Sequence, residues 1–99
     1  MRRTIAITAA LAAAAFAANA QENGRNLAAA CAICHGTQGH PPAGAPVISL
    51  AGLPREHIAS QMRAFRDGQR PATVMHQIAK GYSDAQIDAM AAWFAAQKR

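Results

Sequence analysis

The chain has little with which to build an ordinary core. Its 99 residues include one Trp, one Tyr and three Phe, and the hydrophobic fraction of 52% is inflated by alanine crowded into the first twenty positions. It has only two cysteines, Cys31 and Cys34, so a disulfide within the chain would join those two. Such a bridge closes a very small loop, and the entropy it removes from the unfolded chain is small. No segment alternates apolar and polar residues well enough to be a strand. No internal repeat and no linker divides the sequence, so it forms a single small domain. A formal charge of +5 arises from 10 Lys and Arg against 5 Asp and Glu. There is no dense basic patch interleaved with aromatics, which argues against nucleic-acid binding.

The N-terminus has its own pattern. Met1-Arg2-Arg3-Thr4 is followed by an apolar run from Ile5 to Ala18 broken only by Thr8, then by Ala18-Asn19-Ala20. A basic start, a short apolar stretch and a small-x-small triplet describe a secretory signal peptide, with cleavage expected after Ala20. The run is well short of the roughly 20 residues that cross a hydrocarbon layer, which disfavours an uncleaved anchor. Arg2-Arg3 lacks the rest of a twin-arginine signal, so general secretion into the periplasm is expected. The domains are then a leader over 1–20 and one folded unit over 21–99, whose formal charge is +3 once Arg2 and Arg3 are removed. No membrane span is expected in that unit.

An exported domain this small usually needs a disulfide, a metal or a cofactor to hold it together. The cysteines identify which. Cys31-Ala32-Ile33-Cys34-His35 is a Cys-x-x-Cys-His run, the attachment signature of a c-type haem. Two thiols add across the two haem vinyl groups, and the adjacent imidazole is held beneath the iron as proximal ligand. A zinc site built from Cys31, Cys34, His35 and His40 lacks the spacer of a finger loop. Thioredoxin-like redox use would need a βαβ setting that this sequence does not offer. There is no second such motif, so one covalent haem c is expected.

The remainder reads as all-α, about four helices wrapped around the cofactor. A first helix spans about Glu22 to Ala30, with Gly24 and Leu27 on one face. A second begins near Pro54, carries Ile58, Met62 and Phe65 at helical spacing, and stops before Gly68. A short turn runs from Met75 to Lys80. The last helix starts at Ser83, which forms a capping box with Gln86, and presents Ile87, Met90 and Phe94 as one stripe. Thr37 to Pro46 is loop by composition.

The occupant of the sixth iron position decides between electron transfer and ligand chemistry. Met62 and Met90 fall on apolar helix stripes, where core packing accounts for them. Met75 follows Arg70-Pro71-Ala72-Thr73-Val74 in an irregular segment able to bring a thioether over the face opposite His35. Met75 is therefore favoured as distal ligand. His76, His40 and His57 are the rivals, more simply read as exposed side chains, with His57 turned away from Ile58. A gas-binding or peroxide-reducing site would need Met75 to be absent or displaced.

The residues also carry a family resemblance. Over nearly the whole of 21–99 the chain resembles class I c-type cytochromes, with Gly24 to Thr37 similar to the N-terminal helix and haem site of small bacterial members. The resemblance implies a class I cytochrome c fold, in which the helix glycine admits the C-terminal helix and an aromatic from that helix, here Trp93 or Phe94, packs beside it. The stretch Gly68-Gln69-Arg70-Pro71-Ala72-Thr73-Val74-Met75 with Ile78-Ala79-Lys80-Gly81-Tyr82-Ser83-Asp84 resembles the cytochrome subunit of flavocytochrome c sulfide dehydrogenases, and slightly less closely the c4 and c553 types. There the methionine matching Met75 ligates iron, and the partner is an FAD flavoprotein. The family's proline before Leu-Ala-Gly supplies a carbonyl to the proximal histidine. Here Ile48 stands two residues before the leucine of Leu50-Ala51-Gly52, where the family has its proline, and Pro46 lies two positions earlier; the Ile48 carbonyl is able to make the same bond to His35, and which residue supplies it is left open.

A His/Met haem has no open position for substrate, so the chain should pass single electrons and carry no catalytic residue of its own. The resemblance makes it the electron-accepting subunit of a sulfide dehydrogenase. The alternative is a free carrier to other periplasmic redox proteins: an oxidase, reaction centre or peroxidase. Arg55, Arg63, Arg66, Arg70 and Lys80 are the cations that would steer an acidic partner, although a solvated helix face is the blander account. Two ionised propionates would bring the charge to about +1, so steering should be modest.

Overall fold

The computed structural model describes the backbone of residues 2–99 and, within it, the side chains of residues 9–16 and 19–99. Met1 and the side chains of the basic pair Arg2-Arg3 lie outside the described residues. Helix α1 runs from Arg2 to Ala28. Its alanine-rich sequence has the highest intrinsic helix preference, and nothing between the apolar run and Glu22 interrupts it. The helix expected to begin near Glu22 is therefore the last part of a longer one. It also ends earlier than expected, because the backbone tightens to a 3-10 turn over Ala29–Cys31. Helix α2, Ala32–His35, follows directly. Gly36, at φ +81°, ends it where any side chain would collide with the His40 carbonyl.

From Gly36 the chain turns through a 3-10 segment, Thr37–Gly39, into the expected loop. One acceptor organises its return. The Gly39 carbonyl takes hydrogen bonds from Leu50 N at 2.9 Å, Ala51 N at 3.3 Å and Ser49 Oγ at 3.1 Å. Helix α3 spans Arg55–Arg66 with Pro54 as its cap, just outside the helical conformation. The Pro54 carbonyl still accepts the first helical bond, from Ile58 N at 3.1 Å. Helix α4 is Met75–Ala79. Helix α5, Asp84–Ala95, opens with the expected capping box: Gln86 N donates to Ser83 Oγ at 3.2 Å and Ser83 N donates to Gln86 Oε1 at 2.9 Å.

Among the described residues there is no strand. Helix α1 packs on α5, α5 on α3, and α3 on α4. Their shared core contains Ala28, Ile58, Ala59, Met62, Ala79, Ile87, Met90, Ala91 and Phe94. Four of these nine are alanines, so helix backbones lie close together and little bulk remains to fill a centre. The α1–α5 crossing depends on Gly24, where a Cβ would sit 2.6 Å from the Ala89 carbonyl oxygen and 3.1 Å from Trp93 Cβ. Trp93 therefore takes the place beside the glycine, and Phe94 turns inward, 2% exposed. Tyr82 joins the same region by donating to the Leu27 carbonyl at 3.4 Å.

Two of the cations expected to steer partners have another role. Arg63 pairs with Asp84 at 3.2 Å and Asp88 at 2.7 Å, and Arg66 with Asp84 at 2.8 Å and Asp67 at 3.1 Å. They clamp α3 to the start of α5, which removes them from the steering set. Among the described residues no helix is long and apolar enough to cross a membrane.

Candidate functional site

A cavity of about 290 Å³ opens between α2, the loop, α3, α4 and α5, and its walls are chiefly aliphatic and aromatic. Cys31, Cys34 and His35 form one side. Val47, Ile48, Leu50 and Leu53 come from the loop, Ile58, Met62 and Phe65 from α3, and Met90 and Phe94 from α5. Met75 and Ile78, both on α4, complete the lining together with Val74, which precedes that helix. A second, larger depression of about 740 Å³ lies on the other side of the motif and includes neither cysteine, His35 nor Met75 among its lining residues. The chemistry belongs to the smaller, apolar one.

The motif is arranged as covalent attachment requires. Both cysteines are free thiols, Cys34 exposed and Cys31 half-buried. Cys31 Sγ lies 3.7 Å from Met90 Sδ. Burial pushes the Cys31 thiol above its usual range, and the nearby Cys34 charge adds to this. Such a setting favours an uncharged sulfur, as a thioether is. His35 is fixed by its Nδ1, which lies 2.9 Å from the Ile48 carbonyl oxygen and donates to it. That bond selects the tautomer and leaves Nε2 as the free donor nitrogen. The carbonyl left open by the sequence is thus that of Ile48, and Pro46 does not supply it.

The other sequence candidates separate clearly. Met75 is half-buried and lines the cavity that His35 also lines. Met62 and Met90 line it too, but both are core residues, 7% and 1% exposed. His40 is exposed and does not line the cavity. His76 is half-buried, its Nδ1 within the fold and without a hydrogen-bond partner. His57 is exposed as expected, yet it lines the same cavity as Ile58, so it is not turned away from it. Among the described residues no group of three or more His, Cys, Asp or Glu comes together as a metal site, so Cys31, Cys34, His35 and His40 do not make a zinc cage.

An apolar crevice with two thiols and an oriented imidazole on one wall, and a thioether among the residues enclosing it, fits a flat macrocycle bearing iron. Such a group, when bound, supplies a one-electron couple that no side chain here could provide. Sequence comparison agrees. The family described as cytochrome C oxidase, cbb3-type, subunit III matches residues 18–94. The thiosulfate dehydrogenase electron acceptor of Thiomonas intermedia is 45% identical over 73 residues, 72% of this chain and 33% of that protein. The cytochrome subunit of sulfide dehydrogenase from Chlorobaculum tepidum is 36% identical over 74 residues, 75% of this chain and 66% of its own length. Cytochrome c4 of Pseudomonas aeruginosa is 34% identical over 95 residues, 96% of this chain and 47% of that protein. The chain thus spans from a third to two thirds of the length of these relatives. Helical architecture, haem-attachment motif, enclosing cavity and family match converge: the chain belongs to this family of c-type cytochrome domains, with a class I cytochrome c fold, a covalently bound haem c and electron transfer as its function.

Proposed function

We propose that the chain is an exported one-electron carrier whose haem is held by Cys31 and Cys34 through thioethers, by His35 on the proximal side of the iron and by Met75 on the distal side. The observation that carries this reading is the shared cavity, in which the Cys31–His35 run and Met75 face one apolar space while His35 Nδ1 is occupied by the Ile48 carbonyl. Each residue has a distinct part. The Ile48 carbonyl raises the basicity of the His35 imidazole, the aliphatic walls exclude water, and a thioether at Met75 favours ferrous iron and a high reduction potential. No position is left for substrate, so the domain has no catalytic residue. The family match begins at residue 18, close to the proposed cleavage point after Ala20, which supports the division into a leader over 1–20 and a periplasmic unit over 21–99.

The proposed donor is the FAD flavoprotein of a sulfide dehydrogenase, a reading supported by the Chlorobaculum relative and by the stretch from Gly68 to Asp84. The Thiomonas relative favours a second donor of the same kind, a thiosulfate-oxidising enzyme. Met75→Ala tests the ligand: the visible spectrum of the holoprotein changes and its reduction potential falls. An unchanged spectrum and potential would remove Met75 from the iron. Gel filtration of native periplasm, with haem and flavin absorbance followed together, tests the partner. Co-elution well above the size of a small monomer supports the flavoprotein, and haem alone at monomer size supports a free carrier.

A further inference from the structure

The proposed cleavage after Ala20 makes Gln21 the first residue of the exported chain. A glutamine there can react with itself, because its side-chain carbonyl carbon and its own α-nitrogen close a five-membered ring. In the precursor that nitrogen is tied up in the Ala20–Gln21 peptide bond, so closure waits for processing. Gln21 does not lie on a trailing end. Helix α1 passes through it without a break, and Gly24, less than one turn further on, is already pressed against Ala89 and Trp93 of α5. Gln21 is exposed and lines both hollows that flank Trp93, one with Glu22 and Arg25 and the other with Asn23 and Ala89. The exported domain therefore starts inside a docked helix, with open space around its first side chain.

A free amine is ill-suited to that place. As an ammonium it stands against the positive end of the helix dipole, and Arg25, four residues on and lining the same hollow, adds a second cation. Glu22, in the first turn, offsets this in part. A lactam has no charge to place there. Its ring also fixes φ as that of proline does, and proline is favoured at the first helical position for that reason. We propose that Gln21 is a modification site: it closes to pyroglutamate once the leader is removed, and the neutral ring starts α1 beside Trp93. This rests on the cleavage reading above and not on the haem ligands. The α-amine forms a bond to Cδ, the Cδ–Nε2 bond breaks, and Nε2 leaves as ammonia carrying the proton that the amine gives up. Nothing is oxidised or reduced, and no co-reactant is needed.

The test is the intact mass and N-terminal sequencing of the haem-bearing protein from native periplasm, before and after treatment with pyroglutamate aminopeptidase. The expected chain has the mass of residues 21–99 with its haem, less about 17 Da for ammonia, resists sequencing, and reads from Glu22 after treatment. A Gln21 amine that stays free through long incubation at neutral pH overturns the proposal and leaves the cleavage standing. A chain that retains residues before Gln21, or starts after it, overturns the cleavage reading as well, and its mass tells the two failures apart. Gln21→Ala tests the part played in α1. That variant keeps its amine, and at low ionic strength it melts about 2–5 °C lower than the cyclised parent, a gap that narrows with added salt. A variant that melts at the parent's temperature, or a gap indifferent to salt, overturns the role of the neutral ring.

Discussion

Replacing Gly24 with alanine sets two effects of opposite sign against each other. In a helix without tertiary contacts the change stabilises by about 1 kcal/mol, because glycine loses more backbone freedom on folding than alanine. Here the added methyl would lie 2.6 Å from the Ala89 carbonyl oxygen and 3.1 Å from Trp93 Cβ. The first obstacle is backbone and cannot rotate aside, so α1 and α5 must separate. Overpacking of this kind costs about 1–3 kcal/mol. Because the close approach is to main chain, the upper part of that range applies, and the net result is a loss of about 1–2 kcal/mol after the gain in helix preference. For a domain of this size, that lowers the melting temperature by about 4–8 °C per kcal/mol. The assay is denaturant unfolding of the holoprotein, followed by Trp93 fluorescence, with Asn26→Ala as control. Asn26 is exposed on the same helix, and its substitution should stay within about 0.5 kcal/mol. A Gly24→Ala protein more stable than its parent would show that α1 and α5 do not cross at this glycine.

Other substitutions test the joints between helices. Ser83→Ala removes one half of the capping box and should cost about 1 kcal/mol in thermal unfolding, more than Ala85→Ser on the exposed face of the same helix. Tyr82→Phe removes the bond to the Leu27 carbonyl, and its 3.4 Å length puts the expected loss near the lower end of about 0.5–1.5 kcal/mol in denaturant unfolding. The hydrogen bonds from Arg66 and then Arg63 hold the Asp84 carboxyl below the usual carboxylate range. A depressed folded value adds stability above the ordinary value of about 3.9, and that stability is lost as pH falls through the folded value. Asp84→Asn should therefore lower the melting temperature near neutral pH and flatten its decline below about pH 4. A decline as steep as in the unsubstituted protein would mean that the clamp contributes nothing.

What could be read in the sequence was what short-range chemistry encodes. The Cys31–His35 run must be contiguous to reach one macrocycle, and the Ser83–Gln86 box is a three-residue relation, so both were visible at once. Met75 stood out because it follows a proline-containing irregular segment. The His35 acceptor was harder to assign, because a carbonyl has no residue type and Ile48 earns the part only through the loop's return to Gly39. Trp93 and Phe94 remained interchangeable in sequence. Adjacent helical positions differ by about 100° in direction, and only the crossing of α1 and α5 decides which one meets Gly24. The roles of the cations were hidden for the same reason: Arg63 finds its acids 21 and 25 residues further along the chain, and Arg66 one of its two acids 18 residues further along. The start of α1 could not be found from the pattern near Glu22, because alanine continues a helix without marking where it begins.

The Ile48 carbonyl belongs to a stretch with no regular structure of its own, tethered through the triple acceptor at Gly39. In the proposed coordination by His35, the electronic setting of the metal would therefore be linked to a part of the chain that lies outside the helices. Loops of this kind open at a lower free-energy cost than the helices around them. Each opening would leave the His35 Nδ1–H to bond water in place of the Ile48 carbonyl, and would weaken the imidazole as a donor to a bound haem iron. The reduction potential would then be a population average over closed and open loop states, and its temperature coefficient would record loop opening well below the temperature at which the helices unfold.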